Sequence, residues 1–495
     1  MAIINDPFPD EMKRAIKPLR ILLIFPPIEG VVVSLLPQVN SETDGIGFKP
    51  PVGLLSIATT VKAFSEHKIK VVDSPAQKMG IDDVVETVEN FQPDVVGISA
   101  WTDFWFPAFT LGKTIKEKFP DIHLVYGGPH VCIYPEETLN IPFVDSVIAG
   151  DGEFPFLYLC NMVANSFFSS NIPGLHIKSV GMKNGGERFF IQKDLDKLPI
   201  PDRALLPLNL YTSVLGKTNK ITTMITSRGC PFKCIFCKLN FQKTVCHSAE
   251  HVVEEFKQIQ DSGISEVEVY DDTFTWSKER VQKICLGLID CGIKVEWAIR
   301  DRVTNADPDL LNLMYRAGCR RVHYGIESGV DRVLKRINKK ITTQQARNAV
   351  SMAKSAGMKV LTYFMIGNMD ETIEDMRKTI DFALELNSDY AEFSIAIPYP
   401  GTAMYEEALS SGLIKSDYWK EYAMNPKADF VLPQVIENNA GMKTLIHLRN
   451  EAIKRFYFSP RFIMRQVKEI RSYNEFSKKA KMGVQLLKSM LADKK

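Results

Sequence analysis

The chain has 495 residues, of which 45% are hydrophobic and 24% charged, a composition typical of soluble globular proteins with two or three domains. No apolar run approaches the roughly 18 residues of a membrane span, and the N-terminus lacks the basic flank and apolar stretch of a signal peptide. The nine cysteines are an odd number and six of them are scattered singly, which disfavours a disulfide framework. We therefore expect a cytoplasmic protein.

Residues 20–170 are predicted to form a doubly wound, flavodoxin-like domain. Five strand-like runs, at 20–25, 68–73, 94–99, 123–127 and 145–149, alternate with helix-like runs. Such a pattern predicts a parallel sheet whose ligands bind beyond the carboxyl ends of the strands. No GxGxxG follows the first strand, which disfavours a dinucleotide site. The candidate binding residues in the post-strand loops are Ser99, Trp101, Gly127, Gly128, His130, Gly150, Gly152 and Glu153.

A connector is predicted at residues 171–212. Two short apolar runs, 175–177 and 188–192, flank an Asn-Gly-Gly sequence that is typical of a β-hairpin. The proline-rich stretch 194–207 that follows predicts a linker of fixed length.

Residues 213–402 are predicted to form a partial barrel of six strand–helix units, (β/α)6. The strand-like runs lie at 221–226, 266–272, 294–300, 321–327, 359–366 and 392–397. The active site of such a barrel lies at the carboxyl ends of its strands. Polar or glycine residues at those ends are therefore candidates for cofactor binding: Asp271, Asp272, Arg300, Glu327, Ser328 and Gly367.

Three cysteines, Cys230, Cys234 and Cys237, follow the first barrel strand at CxxxCxxC spacing. Three thiolates can bind three irons of a 4Fe-4S cluster and leave the fourth iron open to another ligand. A structural zinc site needs four ligands, and the fourth would have to come from His247, Cys246 or a distant residue. The spacing therefore favours an iron–sulfur cluster over zinc.

The sequence SRGCPFKCIFC around these cysteines resembles the signature of the radical S-adenosylmethionine enzymes. The resemblance implies that the open iron chelates S-adenosylmethionine, whose reductive cleavage produces a 5′-deoxyadenosyl radical. It also implies that the YDDTF turn lies near the methionine amino group and that Glu327 and the IGNMDET turn hold the nucleoside. One departure is that Val-Cys-His-Ser, at 245–248, replaces the RxRS phrase common after the cysteines.

The phrases PPVGLLSIAT, GISA, YGGPH and GDGEF, in this order, resemble the cobalamin-binding domain that precedes the radical domain in one class of these enzymes. Histidine-ligated corrinoid proteins carry DxHxxG after the first strand, where this chain has only Pro26-Pro27. The resemblance thus implies cobalamin bound base-off, with His123 a structural residue. Trp101 or Trp105 could cover the lower face of cobalt, although ordinary packing explains them equally well.

Residues 403–495 are predicted to be a helical, basic extension, with fourteen Lys and Arg against four Asp and Glu from residue 441 onward. The stretch 456–466 resembles the extension of cobalamin-type radical methyltransferases and of the anaerobic protoporphyrin ester cyclase. Apolar residues such as Phe456, Ile463 and Leu487 are interspersed with the charges, which predicts helices packed on the barrel. A nucleic-acid site is not expected, and a membrane surface is a weaker alternative.

These patterns together predict a cobalamin-dependent radical S-adenosylmethionine enzyme, most simply a C-methyltransferase that acts on an unactivated carbon of a small molecule. A radical cyclase or oxidase with the same cofactors and no methyl transfer is the alternative. A corrinoid sensor with a vestigial radical half is disfavoured by the intact cysteines. Reductive cleavage requires a low-potential electron donor, such as flavodoxin or ferredoxin.

Overall fold

The computed structural model describes residues 14–31, 48–180, 188–213, 215, 220–238, 243–430, 440–469 and 483–484. The described chain divides into two compact units. Unit 1 contains the described residues up to 211 together with 417–430, and unit 2 contains 212–416 and the residues from 440 onward. Among the described residues, no helix combines the length and the apolar character that crossing a bilayer requires.

Unit 1 is built on a six-stranded sheet in the order β2-β1-β3-β4-β5-β6. The first five strands are parallel and β6 runs antiparallel to β5. This is the flavodoxin-like order, with its switch point between β1 and β3, so the predicted doubly wound sheet is confirmed. The strands are β1 Arg20–Phe25, β2 Lys68–Asp73, β3 Val95–Ser99, β4 His123–Gly127, β5 Ser146–Ile148 and β6 Leu175–Ile177.

Helices cover the sheet of unit 1, which explains why its strands are continuous apolar runs rather than alternating ones. In β1, for example, Ile21, Leu22 and Ile24 are completely buried. The helices are α1 Val52–Phe64, α2 Ser74–Gln77, α3 Ile81–Phe91, α4 Trp105–Lys118, α5 Pro129–Ile133, α6 Pro135–Asn140 and α7 Glu153–Asn165.

The predicted hairpin in the connector is wrong for the residues that the structure describes. Leu175–Ile177 pairs with β5, and Phe190 forms an isolated bridge with Gly150. The Asn-Gly-Gly turn itself lies outside the described residues. Pairing with an existing sheet edge satisfies more backbone hydrogen bonds than an isolated two-stranded hairpin does.

Unit 2 contains a six-stranded parallel sheet in the sequential order β7-β10-β11-β12-β13-β14, which confirms the predicted partial barrel. A separate antiparallel ribbon joins β8 and β9. The strands are β7 Ile221–Met224, β8 Ser227–Arg228, β9 Val245–Cys246, β10 Glu266–Val269, β11 Glu296–Asp301, β12 Cys319–Glu327, β13 Lys359–Ile366 and β14 Tyr390–Ile395.

The helices of unit 2 mostly begin at a Ser, Thr or Asp whose side chain accepts a hydrogen bond from a first-turn N–H, as at Ser248, Asp307 and Thr372. They are α8 Ala249–Asp261, α9 Lys278–Asp290, α10 Pro308–Arg316, α11 Asp331–Arg336, α12 Thr343–Ser355, α13 Ile373–Leu386 and α14 Ala403–Ser410.

The described residues of the C-terminal part contain three further helices: α15 Tyr418–Met424, α16 Met442–Tyr457 and α17 Pro460–Glu469. Helix α16 packs on the barrel as predicted, because Phe456 is buried and Tyr457 Oη donates to the carbonyl of Ala391 at 2.6 Å. The prediction is wrong for Ile463, which is 46% exposed, and Leu487 lies outside the described residues. Helix α15 belongs to unit 1 rather than to the barrel.

Candidate cofactor sites

The cysteine loop of unit 2 begins at Gly229 and is closed at its base by the β8–β9 ribbon, in which Ser227 lies opposite Cys246. Gly229 has a φ of +93°, a conformation that only glycine adopts without strain. Its N–H donates to Oδ2 of Asp272 at 3.0 Å. Asp272 is an exposed residue in the segment after β10, so this segment fixes the start of the cysteine loop.

Asp271 holds the segment that leads into the cysteine loop. Its Oδ1 accepts the N–H groups of Thr226 and Ser227 at 2.6 and 3.0 Å, and its Oδ2 accepts both of their hydroxyls at 2.6 Å. Burial raises the pKa of Asp271, while the hydrogen bonds from Ser227 and Thr226 lower it. Because these internal donors occupy both oxygens of a completely buried side chain, Asp271 positions the loop, and its contact with S-adenosylmethionine stays a prediction.

The far side of the loop is held by two backbone hydrogen bonds through Ile235. Its N–H donates to the carbonyl of Ile337 at 3.1 Å, and its carbonyl accepts the N–H of Met404 at 2.9 Å. A turn within the loop brings the Cys237 N–H to 3.1 Å from the carbonyl of Cys234. The loop that carries the three sulfurs is therefore fixed at both ends.

The three thiols suit an iron–sulfur cluster better than a single metal ion. Tetrahedral zinc would place its sulfur ligands about 4 Å apart. Among the described residues, no group of three potential ligand atoms within 4.8 Å of one another contains any of these cysteines. Cys237 is an exposed residue, yet the surrounding protein removes part of the water from its thiol, and this desolvation, followed by the nearby Cys234, Asp272 and Cys230, raises the pKa of Cys237 to about 12. Bound iron would supply the positive charge that stabilises thiolates here.

Sequence analysis missed Arg302 and Lys339, two buried cations beside the cysteine loop. Arg302 Nη1 lies 3.7 Å from Cys234 Sγ, and its guanidinium stacks on Phe232. Arg302 also donates to the carbonyl of Lys339, whose ammonium lies 2.7 Å from Glu327 Oε1. Arg302 directly follows β11, so its position just past a strand end was a signal that could have identified it.

Glu327 lies where β12 bulges, with a φ of +72° that is unusual for a residue other than glycine. Together with its Lys339 contact, this geometry fixes a carboxylate at the strand end. Ser328, predicted beside it, is completely buried and its hydroxyl bonds to Thr379 Oγ1 at 3.1 Å, while its ligand contact stays a prediction.

Arg300 lies at the end of β11 as predicted, and its cofactor contact stays a prediction. Its guanidinium lies 3.7 Å from the ring centroid of Tyr270, and Nη2 lies 3.7 Å from Glu268. The described contacts of Arg300 thus belong to the barrel wall, whereas Arg302 contacts the cysteine loop.

The turn after β13 starts at Gly367, which has a φ of +82°. Glu371 closes the turn by accepting the Asn368 N–H at 2.8 Å. Burial raises the pKa of Glu371 to about 7, despite the opposing hydrogen bonds from Asn368. Glu371 Oε1 and Asn368 Oδ1 are buried without hydrogen-bond partners, which marks this turn as a place where a donor group of a ligand would fit.

In unit 1, Gly128 and Gly150 have φ values near +100°, and both follow strands at the carboxyl edge of the sheet. A side chain at Gly128 would lie 2.8 Å from the Ala100 carbonyl, and one at Gly150 would lie 2.1 Å from the Phe190 carbonyl. The glycines therefore allow neighbouring loops to pack closely. Ser99, the last residue of β3, pairs in register with Gly127, and Gly152 precedes α7.

Trp101 is 51% exposed in the loop after β3, where a flat ligand could reach its ring. Trp105 is completely buried and stacks on His130, with ring centroids 4.3 Å apart, so both residues belong to the core. Both ring nitrogens of His130 are buried without a hydrogen-bond partner, and its ligand contact stays a prediction. Burial lowers the pKa of His130 to about 3. The buried carboxylate of Glu153 accepts the Ser56 hydroxyl at 2.7 Å, and its ligand contact stays a prediction.

Comparison with protein families agrees with the division into two units. Residues 47–159 match the B12 binding domain family, and residues 224–383 match the Radical SAM superfamily. An uncharacterized methyltransferase of Pyrococcus horikoshii is 34% identical over 92% of this chain and 95% of its own. The anaerobic magnesium-protoporphyrin IX monomethyl ester cyclase of Rubrivivax gelatinosus is 27% identical, over 72% of this chain and 66% of its own.

Solved structures share the fold. The radical S-adenosylmethionine methyltransferase TsrM of Kitasatospora setae, with cobalamin and a 4Fe-4S cluster bound, superimposes with a TM-score of 0.65 at 17% identity, over 80% of this chain and 78% of its own. OxsB, with aqua-cobalamin and S-adenosylmethionine bound, also has a TM-score of 0.65 at 17% identity, over 96% and 72% of the two chains. The chain therefore belongs to the cobalamin-dependent radical S-adenosylmethionine methyltransferase family, whose cofactors are a 4Fe-4S cluster, S-adenosylmethionine and cobalamin.

Proposed function

We propose that this protein transfers a methyl group to an unactivated carbon of a small molecule. The proposal depends chiefly on the cysteine loop, which offers three sulfurs from Cys230, Cys234 and Cys237 and is held rigidly at the carboxyl end of a partial barrel. When bound, the cofactors supply an electron, a radical and the methyl group. The chain supplies their positions and excludes water.

At the barrel, we assign three strand-end residues to S-adenosylmethionine. Glu327, fixed by Lys339, would accept hydrogen bonds from the nucleoside, and the exposed Asp272 would face the methionine amino group. The turn at Gly367 would contact the nucleoside through its backbone. Arg302 would stabilise the negative charge of the thiolates.

In unit 1, we assign cobalamin to the carboxyl edge of the sheet, with contacts from Ser99, Trp101, Gly127, Gly128, Gly150 and Gly152. The loop after β1 consists of Pro26, Pro27, Ile28, Glu29 and Gly30 and contains no nitrogen ligand side chain. Cobalamin would therefore bind base-off without a protein nitrogen beneath cobalt.

We propose functional boundaries at 20–170 for the cobalamin domain, 171–212 for the connector, 213–402 for the radical domain and 403–495 for the extension. Residues 417–430 of the extension belong structurally to unit 1. A small-molecule substrate, a flavodoxin or ferredoxin donor and a cytoplasmic location complete the proposal. No nucleic-acid partner is expected.

The test uses S-adenosylmethionine that carries a trideuterated methyl group. The anaerobically reconstituted protein is mixed with this compound, a chemical reductant and a metabolite extract of a strain that lacks the protein. We expect a small molecule to acquire the labelled methyl group, with S-adenosylhomocysteine and 5′-deoxyadenosine formed in equal amounts. A Cys234→Ala variant serves as the control and should form neither product.

Cyclase chemistry remains a second candidate, because a magnesium-protoporphyrin cyclase is among the relatives. It predicts 5′-deoxyadenosine without S-adenosylhomocysteine and without label in the product. That outcome would contradict methyl transfer and support ring formation.

A further inference from the structure

Residues 417–430 form a C-terminal strap, which follows the barrel in sequence but belongs to unit 1. Its helix α15 buries Trp419, Tyr422 and Ala423, each exposed by 2% or less. Phe430 then packs on Tyr422, with ring centroids 4.3 Å apart. The strap is therefore an integral part of unit 1 and not a loosely attached segment.

The strap contacts the first turn of α4, the helix that follows the Trp101 loop. The indole N–H of Trp105 donates to the carbonyl of Ala423 at 3.0 Å, and the backbone N–H of Phe106 donates to Tyr422 Oη at 3.2 Å. An ion pair between Lys420 and Glu137 on α6 adds a third contact, at 3.2 Å. The strap thus joins the helices that follow β3 and β4.

Tyr422 has a capping function at α4. The first N–H groups of a helix lack intrahelical acceptors, and α4 has no side-chain cap of its own at Phe104. The hydroxyl of Tyr422 accepts one of these N–H groups from more than 300 positions away in sequence. It therefore fixes the place where the helix starts and the loop ends.

The loop between β3 and α4, residues 100–104, is consequently held at both ends. At its start, the Ala100 N–H donates to the carbonyl of Gly127 at 2.7 Å, and the Ala100 carbonyl accepts the His130 N–H at 3.0 Å. At its end, the strap anchors Trp105 and Phe106. Trp101 nevertheless exposes half of its surface. A large apolar ring is therefore exposed to solvent on a loop whose two ends are both held by hydrogen bonds.

We propose that the strap preorganises the Trp101 loop for the corrin ring, with Tyr422 as the positioning residue. This inference rests on the proposed cobalamin site of unit 1. Ordering a loop before binding removes an entropic cost that would otherwise weaken affinity, so the strap would strengthen cobalamin binding without touching the ligand. The C-terminal extension would thereby contribute to the cofactor site of a domain whose family match spans residues 47–159.

The test measures the affinity of the full-length, cobalamin-free chain for hydroxocobalamin by absorbance titration. Tyr422→Phe removes the hydroxyl and retains the ring, and we expect it to weaken binding about threefold to tenfold, the effect of one hydrogen bond. Tyr457→Phe is the matched control. It also deletes a tyrosine hydroxyl that accepts a backbone N–H, that of Ala391, but in unit 2, and its affinity should equal that of the wild type.

A double-mutant cycle then asks whether Tyr422 acts through Trp101. Trp101→Ala should weaken binding, and adding Tyr422→Phe to it should weaken binding no further, because the positioned ring is already absent. Additive losses, or an unchanged affinity of Tyr422→Phe, would overturn the inference. If the wild-type chain itself fails to bind cobalamin, the proposed cobalamin site is wrong, which is a separate outcome.

Hydrogen exchange followed by mass spectrometry tests the same idea without any ligand. Peptides that cover residues 100–108 should exchange faster in Tyr422→Phe than in the wild type, while peptides from β1 and β2 should not change. Equal exchange at residues 100–108 would show that the strap does not order this loop.

Discussion

Arg302 Nη1 lies 3.7 Å from Cys234 Sγ, while the same guanidinium stacks on Phe232 at 3.6 Å. A buried cation beside a thiolate stabilises the more negative, reduced state of an attached cluster, because charge and hydrogen bonds near the sulfurs set its reduction potential. Thr273 Oγ1, in the segment after β10, lies at the same distance from Cys230 Sγ, but Arg302 brings a positive charge to a cysteine sulfur.

Replacing Arg302 by Gln should therefore make the reduction potential of the reconstituted cluster more negative, by on the order of tens of millivolts. A redox titration followed by electron paramagnetic resonance measures the shift. Arg300→Gln is the matched control, since the described contacts of Arg300 are with Tyr270, Glu268 and Val269. Equal shifts in both variants would contradict a specific effect at Cys234.

Cys234→Ala should abolish the cluster and the cleavage of S-adenosylmethionine, because two thiolates leave two irons without protein ligands. Anaerobic iron and sulfide analysis gives the occupancy. Cys246→Ala, which changes a cysteine on β9 opposite Ser227, should retain four irons per chain as expected for an intact cluster. A full complement of iron in Cys234→Ala would refute the cluster assignment.

Asp271→Asn should destabilise the protein by about 2 kcal/mol or more, because the new amide group cannot accept the hydrogen bonds that an oxygen accepted. The affected donors are the backbone and hydroxyl groups of Thr226 and Ser227. Urea unfolding of the cluster-free protein measures the loss, and Asp261→Asn at the exposed end of α8 provides the control. Unchanged stability would show that this network does not hold the loop.

The pH dependence of stability should contain a contribution from Glu371. Burial raises its pKa from the ordinary 4.5 to about 7, so the folded state keeps a proton that the unfolded state has lost. The associated stability is complete below about pH 4.5 and falls as the pH rises to about 7.

The free energy of unfolding should therefore fall less between pH 5 and 8 in Glu371→Gln than in the wild type, with a difference of as much as about 3 kcal/mol. Urea unfolding at a series of pH values provides the comparison. Glu374→Gln, at a side chain that is 77% exposed, should retain the wild-type slope. Identical slopes in all three proteins would mean that Glu371 titrates normally.

The cob(II)alamin form of the protein should show no nitrogen superhyperfine splitting from a protein ligand in electron paramagnetic resonance. His130 is the nearest histidine in sequence to the Gly127-Gly128 turn, but its ring is stacked on Trp105 and fully buried. Three-line splitting that disappears in His130→Ala would contradict base-off binding without a histidine.

Sequence alone determined the two sheets, the three cysteines and the family. Strand and helix types depend on local periodicity, which is visible in runs such as those of β1 and β13, and the loop that follows β7 is defined by cysteine spacing. The structure contains these features as predicted because they depend on residues that are close together in the chain.

Only the tertiary structure decided what the individual side chains do. Asp271 and Asp272 are adjacent in sequence in the segment after β10, yet Asp271 accepts hydrogen bonds in a buried network and Asp272 is exposed. Arg302 reaches Cys234 and Tyr422 reaches Phe106 across 68 and 316 positions. Such partners are set by how the elements pack, and no local pattern in the sequence specifies them.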